Sequence, residues 1–184
     1  MTPRTIILQG GENVKIRNQS NLFRELVSNA SVSSILIIPW TTDSLEKEYK
    51  YREIYLSYFR DAGFQTIEFI ERGDTETEIE EKFMKSDILY LPGGDPVILK
   101  REIEKKSLQE KISDFGGVVI GNSAGAIILA NCGYAGGVLY KGFGIIDLNI
   151  EVHSNVGQNR LNEHCKPPII GIPEEGWIVI HTSN

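Results

Sequence analysis

A three-layer α/β/α sandwich around a mainly parallel sheet is the fold this sequence predicts. Short apolar runs alternate with longer amphipathic segments along the whole chain, the pattern of successive β-α-β units. The runs lack polar alternation, as strands covered on both faces do. Glycine or proline closes several of them, so turns fall where a parallel strand hands over to a helix.

The first strand covers residues 5–8 and ends at Gln9-Gly10-Gly11. A helical face follows in residues 22–27, made by Leu22, Phe23, Leu26 and Val27. Residues 35–38 form a second buried strand, stopped by Pro39. The spacing of Ile54, Tyr55, Tyr58 and Phe59 predicts a long helix over 45–62, with Gly63 as its stop. The strand at 64–70 is polar enough to suit a sheet edge. An acidic helix is expected at 76–85, a strand at 88–91, a helix at 96–105 and another at 108–115. Residues 118–120 make a fifth strand, with a short apolar helix at 124–130 directly behind it. Later strands fall at 148–152, 169–170 and 177–180.

Hydrophobic residues make up 41% and charged residues 24% of the 184 positions. These ordinary values and this length suit one α/β hydrolytic domain over residues 1–184, with a core that needs no disulfide or metal. Net charge is -6 and no segment concentrates Lys and Arg, which argues against a nucleic-acid or anionic-membrane partner. Cys132 and Cys165 form no C-x-x-C pair, and the histidines are three, His153, His164 and His181. Neither a metal nor a cofactor is therefore expected. The first apolar run is too short for a secretion signal or a membrane span, so a cytoplasmic location is the expectation.

Open parallel sheets bind ligands beyond the carboxyl ends of their strands, and the loops there carry the chemistry-bearing residues. Gly121-Asn122-Ser123-Ala124-Gly125 joins the fifth strand to the apolar helix. A Gly-x-Ser-x-Gly turn in that setting lifts the serine above the sheet, with small neighbours relieving the crowding. The helix N-terminus then offers amides and a dipole to a developing oxyanion. The bland alternative is a serine that caps the helix. A second turn, Pro92-Gly93-Gly94-Asp95, follows the neighbouring strand, and paired glycines let amides face a ligand. An oxyanion hole shared by this turn and the Ala124 amide is the functional reading. A helix start with Pro96 at its first position is the structural one.

A serine nucleophile needs a base, most often histidine. His153 ends the strand at 148–152 and is the best placed of the three. The acid that orients it is left open among Glu174, Glu175, Glu151 and Asp147, because such triads are recognised by geometry.

Taken together, Pro92-Gly93-Gly94-Asp95, Gly121-Asn122-Ser123-Ala124-Gly125-Ala126, Gly142-Phe143-Gly144-Ile145-Ile146-Asp147 with His153, and Gly171-Ile172-Pro173-Glu174 resemble the peptidase E (α-aspartyl dipeptidase) and cyanophycinase family. The likeness runs from the first strand to the last. It implies a fold similar to class I glutamine amidotransferases, which is flavodoxin-like, with serine in place of their cysteine. It implies Ser123 as nucleophile, His153 as base, Gly94 and Ala124 as oxyanion amides and Glu174 as the acid of cyanophycinase-type relatives. Peptidase E proper uses an aspartate between serine and histidine, whereas residues 124–146 hold no carboxylate here.

The resemblance further implies small peptide substrates with an acidic residue before the cleaved bond. An arginine fork suits that carboxylate, and Arg160 in the loop after His153 is the candidate, with Asn122 as a second substrate contact. An esterase, amidase or isopeptidase on the same fold, and a non-catalytic ligand-binding relative, are the rival expectations. A homodimer is compatible with all of them.

Overall fold

The computed structural model describes residues 4–30, 32–154 and 160–182. In chain order its first elements are β1 (Arg4–Gln9), α1 (Ser20–Ala30), β2 (Ser34–Ile37), α2 (Leu45–Ala62), β3 (Thr66–Phe69), α3 (Glu76–Lys85) and β4 (Ile88–Leu91). Next come α4 (Pro96–Lys105), α5 (Gln109–Ser113), β5 (Val118–Asn122) and α6 (Ala124–Leu129). The last strands are β6 (Cys132–Ala135), β7 (Val138–Lys141), β8 (Asn149–Val152), β9 (Ile169–Ile172) and β10 (Trp177–Thr182), with a 3-10 turn at Arg160–Glu163 before β9.

The larger sheet has the order β10-β1-β5-β4-β2-β3. Its neighbours pair in parallel except β10, which runs antiparallel to β1. Successive side chains of a strand face opposite ways, and the sequence uses both faces. Ile7, Ile35, Ile37, Ile88, Tyr90 and Ile120 point to one core, with Phe23 of α1 and Tyr55, Tyr58 and Phe59 of α2. Ile6, Leu8, Leu36, Leu89, Leu91 and Val119 point to the other, with Ile79, Leu99, Ile103, Ile112 and the whole of α6. This double burial explains why the central strands read as unbroken apolar runs. The more exposed β3 lies at an edge, as its polarity predicts.

Helix limits follow local chemistry. Ser44 caps α2, which ends at Gly63 with φ 108°, a conformation glycine takes without strain. Thr75 and Glu78 form a reciprocal capping box on α3.

The strands expected at 148–152 and 169–170 do not extend the main sheet. They form β8 and β9 of a second sheet, ordered β7-β6-β8-β9, whose Ile150, Val152 and Ile172 join the α6 side of the core. The hairpin of β6 and β7 is absent from the sequence reading. Its signal is Gly136-Gly137 between two four-residue runs, with φ 56° and 88°, the turn in which both central residues need positive φ.

Candidate active site

The carboxyl ends of β1, β5 and β4 lie side by side, and the site is assembled there. Three successive carbonyls at the end of β1 hold the three segments that matter. Gln9 O accepts from the Ser123 amide at 3.0 Å, Gly10 O from the His153 amide at 3.0 Å, and Gly11 O from the Glu175 amide at 3.1 Å. Residues far apart in sequence thus share one backbone anchor.

Ser123 stands between β5 and α6 with φ 45° and ψ -98°, a conformation few non-glycine residues adopt. Its hydroxyl makes no cap hydrogen bond to α6. Instead Ser123 Oγ lies 2.8 Å from His153 Nε2. On the far side of the ring, His153 Nδ1 bonds to Glu174 Oε2. A carboxylate there accepts a proton-bearing Nδ1, which leaves Nε2 as the acceptor for the serine hydroxyl. Ring and carboxylate are each about half exposed, 45% and 54%, so solvent reaches the pair.

Glu174 owes its position to a tight turn between β9 and β10, closed by the Gly176 amide on Pro173 O at 3.0 Å. Of the other carboxylates left open by the sequence, Glu175 accepts from Asn18 Nδ2 at 2.9 Å. Asp147 accepts from Asn131 Nδ2 at 2.8 Å, and Glu151 is buried within β8.

The glycines at this centre are contact requirements. A Cβ on Gly11 would lie 2.4 Å from His153 Cε1 and 2.6 Å from Glu174 Oε2. One on Gly125 would lie 2.0 Å from Leu91 O, so the second glycine of the serine turn lets α6 press against the end of β4. The Pro92-Gly93-Gly94 loop is tied down by the Asp95 amide, which donates to Thr41 O at 3.1 Å. Asp95 itself caps α4 through Val97 and Ile98. The loop starts a helix, as its structural reading expects, and Gly93 and Gly94 also line the serine cleft. Ala124 opens α6, and an amide at that position has no acceptor within its helix.

The cleft holds about 390 Å³. Ser123, His153, Gly93, Gly94 and Asn122 line it, facing Glu12, Thr41, Lys47, Tyr51 and Tyr55. Asn122 is buried, with Nδ2 donating to the Tyr90 hydroxyl at 3.3 Å. Arg160 opens the 3-10 turn before β9, and its side chain lies outside the described residues. A larger groove of about 540 Å³ beside α2 holds no nucleophile. Glu48, Arg52, Glu71 and Arg72 along it pair with one another. Among the described residues, no three His, Cys, Asp or Glu side chains gather as metal ligands, and no helix is long and apolar enough to cross a membrane.

Gly10, Gly11, Glu12, Thr41 and Lys47 are site residues that the sequence reading missed. The signal for the first three is Gly10-Gly11 after an apolar strand, the same feature that marks Pro92-Gly93-Gly94. Nothing in the sequence near Lys47 signals its place on the cleft wall.

Glu12 is the unusual group. Its carboxyl accepts from the Tyr58 hydroxyl, yet burial pushes it up to about 7 from an ordinary 4.5. Hydrogen bonding from Tyr58, the Gln19 amide and Gln9 only partly offsets that burial. The folded protein therefore holds this proton more tightly than the unfolded chain. The stabilisation is present at acid pH and is lost as pH rises from 4.5 through about 7. Glu12→Gln, neutral throughout, is expected to be more stable than the parent at about pH 8, by up to ~3 kcal/mol. The two should converge near about pH 4.5. Urea midpoints at both pH values check this.

Fold and site define a class: an open α/β protein with a serine hydroxyl, an imidazole and a carboxylate in line at the carboxyl edge of its sheet. The sequence model of Peptidase family S51 matches residues 6–184, and the chain belongs to that family. It is 32% identical over 117 residues to an uncharacterized peptidase of Pasteurella multocida, a match covering 60% of this chain and 54% of the relative. It is 31% identical over 111 residues to an uncharacterized peptidase of Listeria monocytogenes, covering 58% and 53%. The chain thus spans about half the length of the curated relatives it matches. A Listeria monocytogenes EGD-e protein provisionally described as a peptidase E superposes with a TM-score of 0.73 at 20% identity, covering 99% of this chain and 96% of that one. A peptidase from an acI-B1 actinobacterium gives 0.69 at 19% identity, covering 97% and 83%. At these identities the two structures establish the fold.

Proposed function

We propose that the chain is a serine peptidase that cleaves small peptides, dipeptides or oligopeptides, after an acidic residue. The observation that carries the proposal is the 2.8 Å contact between Ser123 Oγ and His153 Nε2, on a turn whose strained backbone aims the hydroxyl away from its helix. Membership of a peptidase family supports it.

In this mechanism Ser123 Oγ attacks the scissile carbonyl carbon while His153 Nε2 takes the hydroxyl proton. The Gly94 and Ala124 amides hold the oxyanion. His153 then returns the proton to the leaving amine as the C–N bond breaks, which leaves an acyl ester on Ser123. Water, deprotonated by the same imidazole, attacks that ester, and the ring returns the proton to Ser123 Oγ as the acyl C–O bond breaks and the acid product leaves. Glu174 keeps the proton on Nδ1 and balances the charge that the ring acquires. No cofactor has a role in these steps, and a cytoplasmic setting is part of the proposal.

The acidic side chain of the substrate needs a cation. Lys47 on the cleft wall and Arg160 in the segment after His153 are the two candidates. The test is a panel of Asp-X and Ala-X dipeptides beside simple esters, assayed with the parent, Lys47→Ala and Arg160→Ala. Cleavage of Asp-X with a KM penalty in one variant, larger for Asp-X than for Ala-X, is expected. Turnover of esters alone would replace the peptidase reading with an esterase. No turnover of anything by folded protein would favour a ligand-binding relative.

A further inference from the structure

The two cysteines meet on the outer face of the second sheet, away from the serine cleft. Gly133 of β6 is turned toward α6, where a Cβ would lie 2.6 Å from Ile127 Cγ1. Adjacent positions of a strand point the opposite way, so Cys132 and Tyr134 face outward from that core. The chain after the 3-10 turn crosses this outer face. His164 stacks on the Tyr134 ring, with centroids 6.3 Å apart. Asn149, opposite Cys132 in the β6–β8 register, donates from Nδ2 to Lys166 O at 2.8 Å. Cys165 lies between those two contacts, its amide on Leu161 O at 2.8 Å. Its thiol hydrogen-bonds with the Cys132 side chain. Both thiols are free and half-buried, so a small reagent reaches them.

We propose that Cys132 and Cys165 are a redox-modification site, a dithiol that a hydroperoxide converts to an intramolecular disulfide. The proposal stands apart from the peptidase reading, since neither cysteine lines the serine cleft. One half-buried cysteine is a packing residue. Two sulfurs brought into contact from separate segments can bond once they lose their hydrogens. The flanking contacts at 164 and 166 hold them together, and that proximity favours the internal bond over one to a second molecule.

The chemistry takes two steps. A thiolate of the pair attacks one peroxide oxygen; the S–O bond forms, the O–O bond breaks, and the departing oxygen takes a proton and leaves as an alcohol. The other sulfur then attacks the sulfenic acid. The S–S bond forms, the S–O bond breaks, and the hydroxide leaves with the second thiol proton as water. Two thiols and one hydroperoxide thus give one disulfide, one water and one alcohol, or two waters when hydrogen peroxide is the oxidant. Burial and the Cys132 sulfur push the Cys165 thiol up to about 11, so the two sulfurs are not ionised together at neutral pH. The second reacts after the first has lost its charge. The bond closes the chain from residue 132 to residue 165, a stretch that includes His153 and Arg160. Such a link restricts the unfolded chain and raises stability, and a small thiol reverses it.

The test needs no substrate. Reduced protein, freed of reductant, is treated with hydrogen peroxide near neutral pH, unfolded, alkylated and mapped by mass spectrometry without reduction. A Cys132–Cys165 linked peptide pair from monomeric protein is expected. The melting temperature should rise by about 5–10 °C and return with dithiothreitol. Cys132→Ser and Cys165→Ser, each shown to be folded by its own melting curve, are expected to show no such rise and to carry a sulfenic acid that dimedone traps on the remaining cysteine. The parent mapping decides the matter even where a variant fails to fold. Two alkylated thiols after peroxide, sulfinic acids on both cysteines without a link, or a disulfide formed only between two copies of the chain would overturn the proposal. An equal rise in melting temperature in both single variants would do the same.

Discussion

Ser123→Ala is expected to lower kcat on any peptide the parent cleaves by roughly 10⁴–10⁶-fold while leaving the fold intact. The substitution deletes one atom that packs against nothing in the core. It removes the nucleophile and the 2.8 Å contact to His153. The backbone at this turn, with φ 45°, is held from outside the residue, by the Ser123 amide on Gln9 O and by the Ile127 amide on Ser123 O at 2.9 Å. Alanine keeps both. In the proposed mechanism the Ala124 and Gly94 amides would still face the carbonyl, so a small activity above the uncatalysed rate is expected to survive. Matched melting curves together with burst and steady-state kinetics check this. A variant with more than about a tenth of the parent activity would be incompatible with a serine ester intermediate.

Gly11→Ala carries the second largest effect, about 10²–10³-fold in kcat, and it tests a residue that performs no chemistry. The added methyl would start 2.4 Å from His153 Cε1 and 2.6 Å from Glu174 Oε2. Real carbon contacts do not approach so closely, so ring and carboxylate must move apart or tilt. A displacement of about 1 Å at a catalytic group is enough for a 10²-fold loss. The ring is half exposed and can swing outward, so the cost falls on alignment rather than on stability. KM should change little while kcat falls. Gly10 makes the contrasting control. A Cβ there would strike Pro173 O at 2.2 Å and Ile172 O at 2.3 Å, both backbone atoms, and Gly10→Ala is expected to lose stability along with activity.

Most of the main sheet was legible because its strands are buried on both faces, a pattern that persists in one sequence. Helices α2, α3 and α4 begin and end where caps, Pro96 and Gly63 predict, since those are local effects. The second sheet was legible only as isolated strands: β8 and β9 fall on expected runs, whereas the β6–β7 hairpin was not expected, and the pairing of β6 with β8 goes with packing against α6, a tertiary choice with no local signature. The serine turn could be read because strand, glycines and helix are contiguous. The role of Gly11 could not, because it depends on where residues 153 and 174 arrive from other parts of the chain. Glu174 illustrates the limit. Four carboxylates were compatible with the sequence, and the choice falls to a turn in which Pro173 and Gly176 close on each other.

The central claim is that the Ser123 hydroxyl is a nucleophile activated by His153. Reaction with a fluorophosphonate, followed by peptide mapping by mass spectrometry, tests it most directly. The account predicts a single phosphonyl adduct on Ser123 at neutral pH, formed by the parent and not by Ser123→Ala, and slowed in His153→Ala. Folded parent protein that remains unlabelled, or that labels at another residue, would contradict it.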